Sequence, residues 1–436
     1  MKLQGPKGTR DFYPPDMALR NWIVQRWIDV SRRHGFVEYD GPIFEPLDLY
    51  RIKSGDEIVS QLFHFEDRGG RAFAIRPEMT PTLARMVAAR ANTLARPIKW
   101  FSVPRLCRAE KPQRGRLREF FQWNIDIVGV DSVLADAECI FVAVDFFRSL
   151  GLSPEQVGAR INSRAVVSAL LEHLAIATDK LPGVYAALDK RDKLAPEAFA
   201  ELLEKQELSA AQRDALIGIG EARGDEGLER IAGMLTGSEA GAAAIADLRE
   251  VFNHLAAFGA EAYCAYDMGV VRGLAYYTGT VFEGFGRGGL QRAICGGGRY
   301  DELVSNLGGP PMGGVGFATS DVVIADVLEE FGLTPELSES ADYFIIDADS
   351  AVFAGVLNLV GQLRASGVDA AFSYARQGVG KQFKQAAARN VRRVAILEGD
   401  FAATQAVNVK DMASGRQAVV PLTELLRDPF GPLPET

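Results

Sequence analysis

Between Gly35 and Gly129 five short segments rich in aromatic and β-branched residues follow one another: "GFVEYDGPIFEP", "QLFHFED", "RAFAIRPE", "IKWFSVPRLCR" and "EFFQWNIDIVG". Such composition marks strands. The pieces joining them are turn-rich, as in "DRGG" at 67–70, and too short for the helical crossovers that parallel pairing requires. The run therefore demands an antiparallel sheet, and further strands over 262–268, 276–284, 290–295 and 312–318 would extend it. Ahead of it, Leu19, Trp22, Ile23, Trp27 and Val30 recur at helical spacing from Asp16 to His34, and Gly35 ends that helix.

A chain of 436 residues exceeds one ordinary core, so more than one domain is expected. Residues 164–258 are rich in Ala, Leu, Glu and Lys with few aromatics, which predicts a helical bundle inserted into the sheet domain. The sheet domain is thereby divided into 1–163 and 259–330. "FGLTPELSES" at 331–340 is a linker. Over 341–436, "YFIID", a helix at 351–366, "VDAAFSY", a helix near 380–389 and "RRVAILEG" alternate as βαβαβ, the pattern of a small α/β domain with mostly parallel strands. The fold class is α+β in the sheet domain followed by α/β.

No apolar run is long enough to cross a bilayer, and "MKLQGPKGTRDF" has no apolar core of a signal peptide. Cys107, Cys139, Cys264 and Cys295 form no C-x-x-C pair, which fits a reducing cytoplasm without disulfides or a zinc site. A net charge of −9 argues against indiscriminate nucleic-acid binding. Two basic islands stand out from it. Residues 96–118 hold Arg96, Lys99, Arg105, Arg108, Lys111, Arg114, Arg116 and Arg118 against Glu110 as the one acid, and residues 376–393 hold Arg376, Lys381, Lys384, Arg389, Arg392 and Arg393 with none. Solvated faces carry such runs, and so do phosphate contacts.

In "EFFQWNIDIVG" Phe121, Trp123, Ile125 and Ile127 alternate with Gln122, Asn124 and Asp126, so the two sets lie on opposite faces of the strand. A solvent-wet outer face gives the same alternation as a polar site. In "RPEMTP", Glu78 and Thr80 share one side if the segment is extended, although the flanking prolines suit a turn equally. "RAEKPQRGRLREF" at 108–120 brackets a Pro- and Gly-containing loop with arginines, whose planar guanidinium groups pair bidentately with phosphate. "AICGGGRYDEL" at 293–303 places three glycines after a strand and before a short helix, where a ligand can approach the backbone or a tight turn can form. "VRGLAYYTGTVFE" at 271–283 sets Arg272 close to Tyr276 and Tyr277. His34, His64, His173 and His254 lie outside all of these, so neither a Ser–His–Asp nor a Cys–His mechanism has support. Charge stabilisation by arginines around a metal-bound nucleotide is the chemistry left.

These segments, in this order, resemble the histidyl-tRNA synthetases, a class II aminoacyl-tRNA synthetase family. The match runs from "KGTRDFYP" to "VKDMASGRQAVVPLTEL" and so covers nearly the whole chain. "RAEKPQRGRLREFFQ" is similar to the class II motif 2, and "VRGLAYYTGTVFE" and "AICGGGRYDELV" to the two histidine-specific signatures. The resemblance implies an antiparallel catalytic sheet, a helical insertion and a C-terminal anticodon-binding α/β domain. It also implies a homodimer with an N-terminal interface, and ATP with Mg²⁺ as a substrate complex. Arg108 would hold the α-phosphate, Glu110 lie near adenine, Arg116 reach the outer phosphates, and Arg272 stabilise charge on the α-phosphate. Glu78, Thr80 and Gln122 would bind the ammonium of histidine. Asp126 and Tyr277 would read its imidazole, with Tyr276 and Tyr300 lining the pocket and no protein ligand for a metal assigned. The basic residues Arg376, Lys381 and Lys384 would face tRNA. The chain departs from the family pattern at Ala275, where Asp is common, at Asp126, where Glu is common, and at Val323, where class II enzymes usually carry an ATP-binding arginine. A second reading is a non-catalytic relative that senses histidine as a regulatory subunit of ATP phosphoribosyltransferase.

Overall fold

A computed structural model describes residues 3–434 except 55–58, 60, 114, 192–193, 272–276, 288–292, 338–340 and 376. The chain divides into two compact units, one of residues 1–12 and 19–335, the other of 13–18 and 336–436.

In the first unit, among the described residues, nine strands form one sheet. In spatial order they are Val37–Glu38, Ile98–Ser102, Glu119–Val128, Gly314–Ser320, Ala293–Arg299, Thr280–Gly286, Val157–Ser163 and Cys264–Tyr266, with Arg105–Cys107 paired to the start of Glu119–Val128. The central pairings are antiparallel, as expected. The two outermost are parallel: Val37–Glu38 with Ile98–Ser102, and Val157–Ser163 with Cys264–Tyr266. The first was missed because the connections between 35 and 129 are expected to be short, and the second because the strand Val157–Ser163 is not among the expected strands. Leu47–Ser54 and Thr80–Arg90 are helices, and a long connection permits parallel pairing. The strand Val157–Ser163 and the helix Leu134–Ser149 also went unread. Both are buried on nearly every side and mix polar residues such as Asp136 and Asn162 among the apolar ones, so neither shows a clean period.

The core lies between the sheet and the helices Pro14–Arg33 and Leu134–Ser149. Trp123 is its hub, with ring centroids 6.2 Å from Trp27, 5.1 Å from Phe146 and 5.1 Å from Phe317. Its indole N–H donates to Ser31 Oγ at 2.9 Å, and that hydroxyl donates to the Trp27 carbonyl at 2.7 Å, so the polar atoms of Trp123 and Ser31 are satisfied. The helices from Arg164–His173 to Glu239–Ala257 join the same apolar cluster. A separate antiparallel sheet of Phe44–Pro46, Ala72–Ile75 and His64–Glu66 completes the unit.

In the second unit Ala370–Phe372, Tyr343–Asp347 and Arg393–Leu397 run parallel, with Phe353–Ala365 and Val379–Ala388 as the crossover helices. Ala406–Asp411 and Gln417–Pro421 add two antiparallel strands at one edge. Lys381, Lys384, Arg389 and Arg392 are exposed. Arg393 departs from the expected basic surface: it is buried, and its guanidinium donates to the carbonyls of Pro429 at 2.8 Å and Gly431 at 2.8 Å. It holds the C-terminal tail and contributes nothing to a phosphate-binding face.

Candidate active site

The strand Glu119–Val128 is buried on both faces from Gln122 onward. One face carries Trp123, Ile125 and Ile127 into the core. The other carries Gln122, Asn124 and Asp126, only 9%, 3% and 2% exposed, so the solvent-wet account of this alternation is overturned. Burying three polar side chains in a row costs free energy unless each finds partners. Tyr300 donates its phenol proton to Asp126 Oδ1 at 2.5 Å, and Asn124 Nδ2 donates to the Gln122 carbonyl at 3.1 Å.

The glycines of "AICGGGR" lie within the strand Ala293–Arg299, which excludes the tight turn, one of the two readings open in the sequence. Their reason is cross-strand crowding. A Cβ on Gly297 would stand 2.3 Å from the Gly316 carbonyl oxygen, and one on Gly298 2.8 Å from that of Thr280 and 3.1 Å from the Tyr277 ring. Opposite Asp126, a Cβ on Gly316 would meet Asp126 Oδ1 at 2.2 Å and the Ile125 carbonyl oxygen at 2.6 Å. Gly314 gives the Tyr300 ring the same room. Gly298, Gly314 and Gly316 thus leave room on the face that carries Asp126, Tyr277 and Tyr300, whereas Gly297 pairs with Phe317 on the core face.

Gln122 also lines a cavity of about 560 Å³ with Arg108, Arg116, Phe120, Cys295, Thr319, Ser320 and Val323. Arg108 Nε donates to the Pro77 carbonyl at 3.1 Å, and its guanidinium lies 5.1 Å from the Phe120 ring centre. Arg116 forms an ion pair with Glu110. Glu78 sits half-buried at the bend before Thr80, the first residue of the helix Thr80–Arg90. The segment is therefore a turn, and the extended alternative is excluded. Arg272, Tyr276 and Ala275, as well as Arg376, lie outside the described residues. Lys381 and Lys384 belong to the second unit, on Val379–Ala388.

Sequence reasoning missed the pair that braces this floor. Arg299 Nε donates to both carboxylate oxygens of buried Asp136 at 3.0 Å, and its other nitrogens reach the carbonyls of Val130 and Ser132 and, at 3.2 Å, Asp301 Oδ1. Asp301 Oδ2 accepts from Thr278 Oγ1 at 2.5 Å. Residues adjacent to Tyr277 and Tyr300 are thus tied to the helix Leu134–Ser149. Burial pushes the Asp136 carboxyl up to about 6, against the pull of Arg299. The partners are 163 positions apart, so no local spacing exposes them. Asp136→Ala leaves the guanidinium buried with one carboxylate fewer, which should cost about 3–5 kcal/mol in denaturant unfolding and raise the KM for histidine. Stability unchanged within about 1 kcal/mol would contradict the brace.

A buried carboxylate on an antiparallel floor, beside an arginine-lined cavity and followed by an α/β unit, is the arrangement of a class II aminoacyl-tRNA synthetase. The family model for histidyl-tRNA synthetase matches residues 8–321, and that for an anticodon-binding domain matches 342–427. The chain belongs to the histidyl-tRNA synthetase family. It is 39% identical to the chloroplastic/mitochondrial histidine–tRNA ligase of Arabidopsis thaliana over 96% of this chain and 85% of that one. Identity to the histidine–tRNA ligase of Opitutus terrae is also 39%, over 98% and 99%. The crystal structure of histidyl-tRNA synthetase from Nostoc sp. PCC 7120 is similar at a TM-score of 0.82 and 25% identity, covering 99% of this chain and all of that one.

Proposed function

We propose that this chain activates L-histidine with ATP and transfers the histidyl group to histidine tRNA. One observation carries the reading. The buried Asp126, oriented by Tyr300, shares a strand face with Gln122, and Gln122 borders the cavity that holds Arg108. An amino-acid pocket and a nucleotide pocket are then neighbours along one strand, where alternate residues step about 6.8 Å.

Neutral imidazole has one ring N–H and one bare nitrogen. Asp126 accepts from the first and the Tyr277 phenol donates to the second. Tyr276 and Tyr300 close the pocket, and Tyr300 holds the carboxylate in register. Glu78, Thr80 and Gln122 take the ammonium group. Arg108 and Arg272 flank the α-phosphate, Glu110 approaches adenine, and Arg116, released from Glu110, reaches the outer phosphates. Magnesium enters as part of the substrate on those phosphates and supplies countercharge. A histidine carboxylate oxygen bonds to the α-phosphorus as the bond to the bridging oxygen breaks and pyrophosphate leaves. A terminal ribose hydroxyl of the tRNA then bonds to the carbonyl carbon, and AMP departs with the hydroxyl proton. Holding carboxylate and phosphate together removes much of the entropic barrier.

Val323 lines the nucleotide cavity where the class usually has arginine. Val323→Arg should therefore lower the KM for ATP roughly tenfold, the value of one added charge-assisted hydrogen bond. An unchanged KM would mean that the existing arginines already saturate the phosphates.

Homodimerisation is supported by an aromatic patch on the small sheet. Phe44 and Phe65 are exposed with ring centroids 5.8 Å apart, and Ile43 and Phe63 are exposed nearby. Uncovered apolar clusters of this kind mark interfaces. In the second unit, exposed Lys381 and Lys384 on one helix would meet the anticodon arm, where unpaired bases can be read. The activity belongs in the cytoplasm, where ATP and tRNA are available. Charging of tRNA with labelled histidine tests the reading. The regulatory-subunit alternative, against which the full-length ligase relatives and the matched anticodon-binding domain weigh, predicts histidine binding without charging.

A further inference from the structure

One buried hydroxyl beside the Asp126 floor is used by none of the roles assigned above. It belongs to Tyr39, the residue after the short edge strand Val37–Glu38. That strand runs parallel to Ile98–Ser102 with Val37 opposite Trp100, and the Tyr39 N–H extends the pairing by donating to the Phe101 carbonyl at 2.9 Å. Alternate residues share a face, so Tyr39 and Val37 stand on the side of Trp100. Trp100 in turn lies directly opposite Asp126 in the antiparallel pair with Glu119–Val128. The Tyr39 and Trp100 rings have centroids 5.4 Å apart, and both pack with Tyr277 against the apolar cluster that contains Tyr300.

The Tyr39 hydroxyl is buried and has no hydrogen-bond partner among the described residues. Such an atom is uncommon in a folded protein, because losing water without gaining a bond is unfavourable. Packing alone would be served by phenylalanine, which fills nearly the same volume and strands nothing. The charged groups around Tyr39 are turned to other partners. Arg76 Nη1 donates to Asp40 Oδ1 at 2.6 Å and to the Gly41 carbonyl at 2.9 Å, and Asp126 Oδ1 accepts from Tyr300. Burial first, then the charges of Asp126 and Asp40, push the Tyr39 phenol well above its ordinary pKa against the pull of Arg76. The group therefore keeps its proton at neutral pH and can donate and accept at once. A ring with one N–H and one bare nitrogen is a ligand that such a hydroxyl can meet in either sense.

We propose that Tyr39 is a further residue that reads the amino acid, its hydroxyl completing its hydrogen bonds only when the imidazole ring lies against Asp126. The inference deepens the ligase reading and rests on it, and the experiment separates the two. Tyr39→Phe removes the hydroxyl and keeps the ring on Trp100. Calorimetric titration should show histidine bound about tenfold more weakly, the scale of one lost hydrogen bond, with the KM for ATP unchanged. The midpoint of denaturant unfolding without histidine should stay the same or rise, because the empty protein loses no bond. A purely structural tyrosine would do the reverse, lowering the midpoint and sparing the affinity. A loss of histidine affinity below about threefold, or a weaker affinity matched by a lower unfolding midpoint, would overturn the proposal. Absence of histidine-dependent pyrophosphate exchange in the unaltered protein would instead overturn the ligase reading.

Discussion

Arg108→Ala should lower kcat for histidine-dependent pyrophosphate exchange about 1,000-fold while leaving the KM for histidine within a few-fold of its original value. The guanidinium sits at the cavity wall, held by the Pro77 carbonyl and resting against Phe120. Its backbone is fixed independently, because Arg108 N–H donates to the Arg118 carbonyl at 2.8 Å. Truncation therefore removes charge without collapsing the loop. Negative charge gathers on the α-phosphate in the transition state more than in bound ATP, so the loss falls on kcat. Steady-state exchange at varied histidine and ATP separates the terms. A defect confined to the KM for ATP would mean that Arg108 holds the nucleotide without stabilising the reaction.

The second large effect belongs to Asp126. Asp126→Asn keeps the shape and removes the charge that the Tyr300 hydroxyl addresses and that, in the proposed pocket, would take the imidazole N–H. A buried charged partner lost in this way costs about 3 kcal/mol or more, so kcat/KM for histidine should fall more than about 100-fold with the KM for ATP unchanged. Gly316→Ala reaches the same result by another route. Its methyl would stand 2.2 Å from Asp126 Oδ1 and 2.6 Å from the Ile125 carbonyl oxygen. The second obstacle is backbone and cannot swing aside, so the carboxylate must. Calorimetric titration with histidine reads both variants directly. Normal histidine affinity in either would remove Asp126 from the pocket.

Much of this site was legible in the chain. Period-two alternation separated Gln122, Asn124 and Asp126 from Trp123, Ile125 and Ile127, because strand geometry leaves side chains no other choice. Alternation does not say whether the polar face is wet. That required knowledge of what covers it, which is set by residues as distant as Tyr300. The triple glycine left both a ligand's close approach and a tight turn open, because local composition is the same for these and for a strand crowded from both sides. Only the cross-strand register with Gly316 and Phe317 distinguishes them. The basic island at 376–393 shows the same limit. Arg393 looks like its neighbours in sequence, yet it falls on a buried strand and spends its donors on the carbonyls of the C-terminal tail. The Asp136–Arg299 brace left no trace in sequence, since an aspartate early in a helix is ordinarily accounted for by the helix dipole.

The most direct measurement is histidine-dependent exchange of labelled pyrophosphate into ATP by the purified protein. The pocket built on Asp126, Tyr277 and Tyr300 beside the Arg108 cavity predicts exchange with histidine and none above background with glutamine or asparagine, which leave those polar groups unpaired. Exchange that is absent with histidine, or as fast with glutamine, would contradict it.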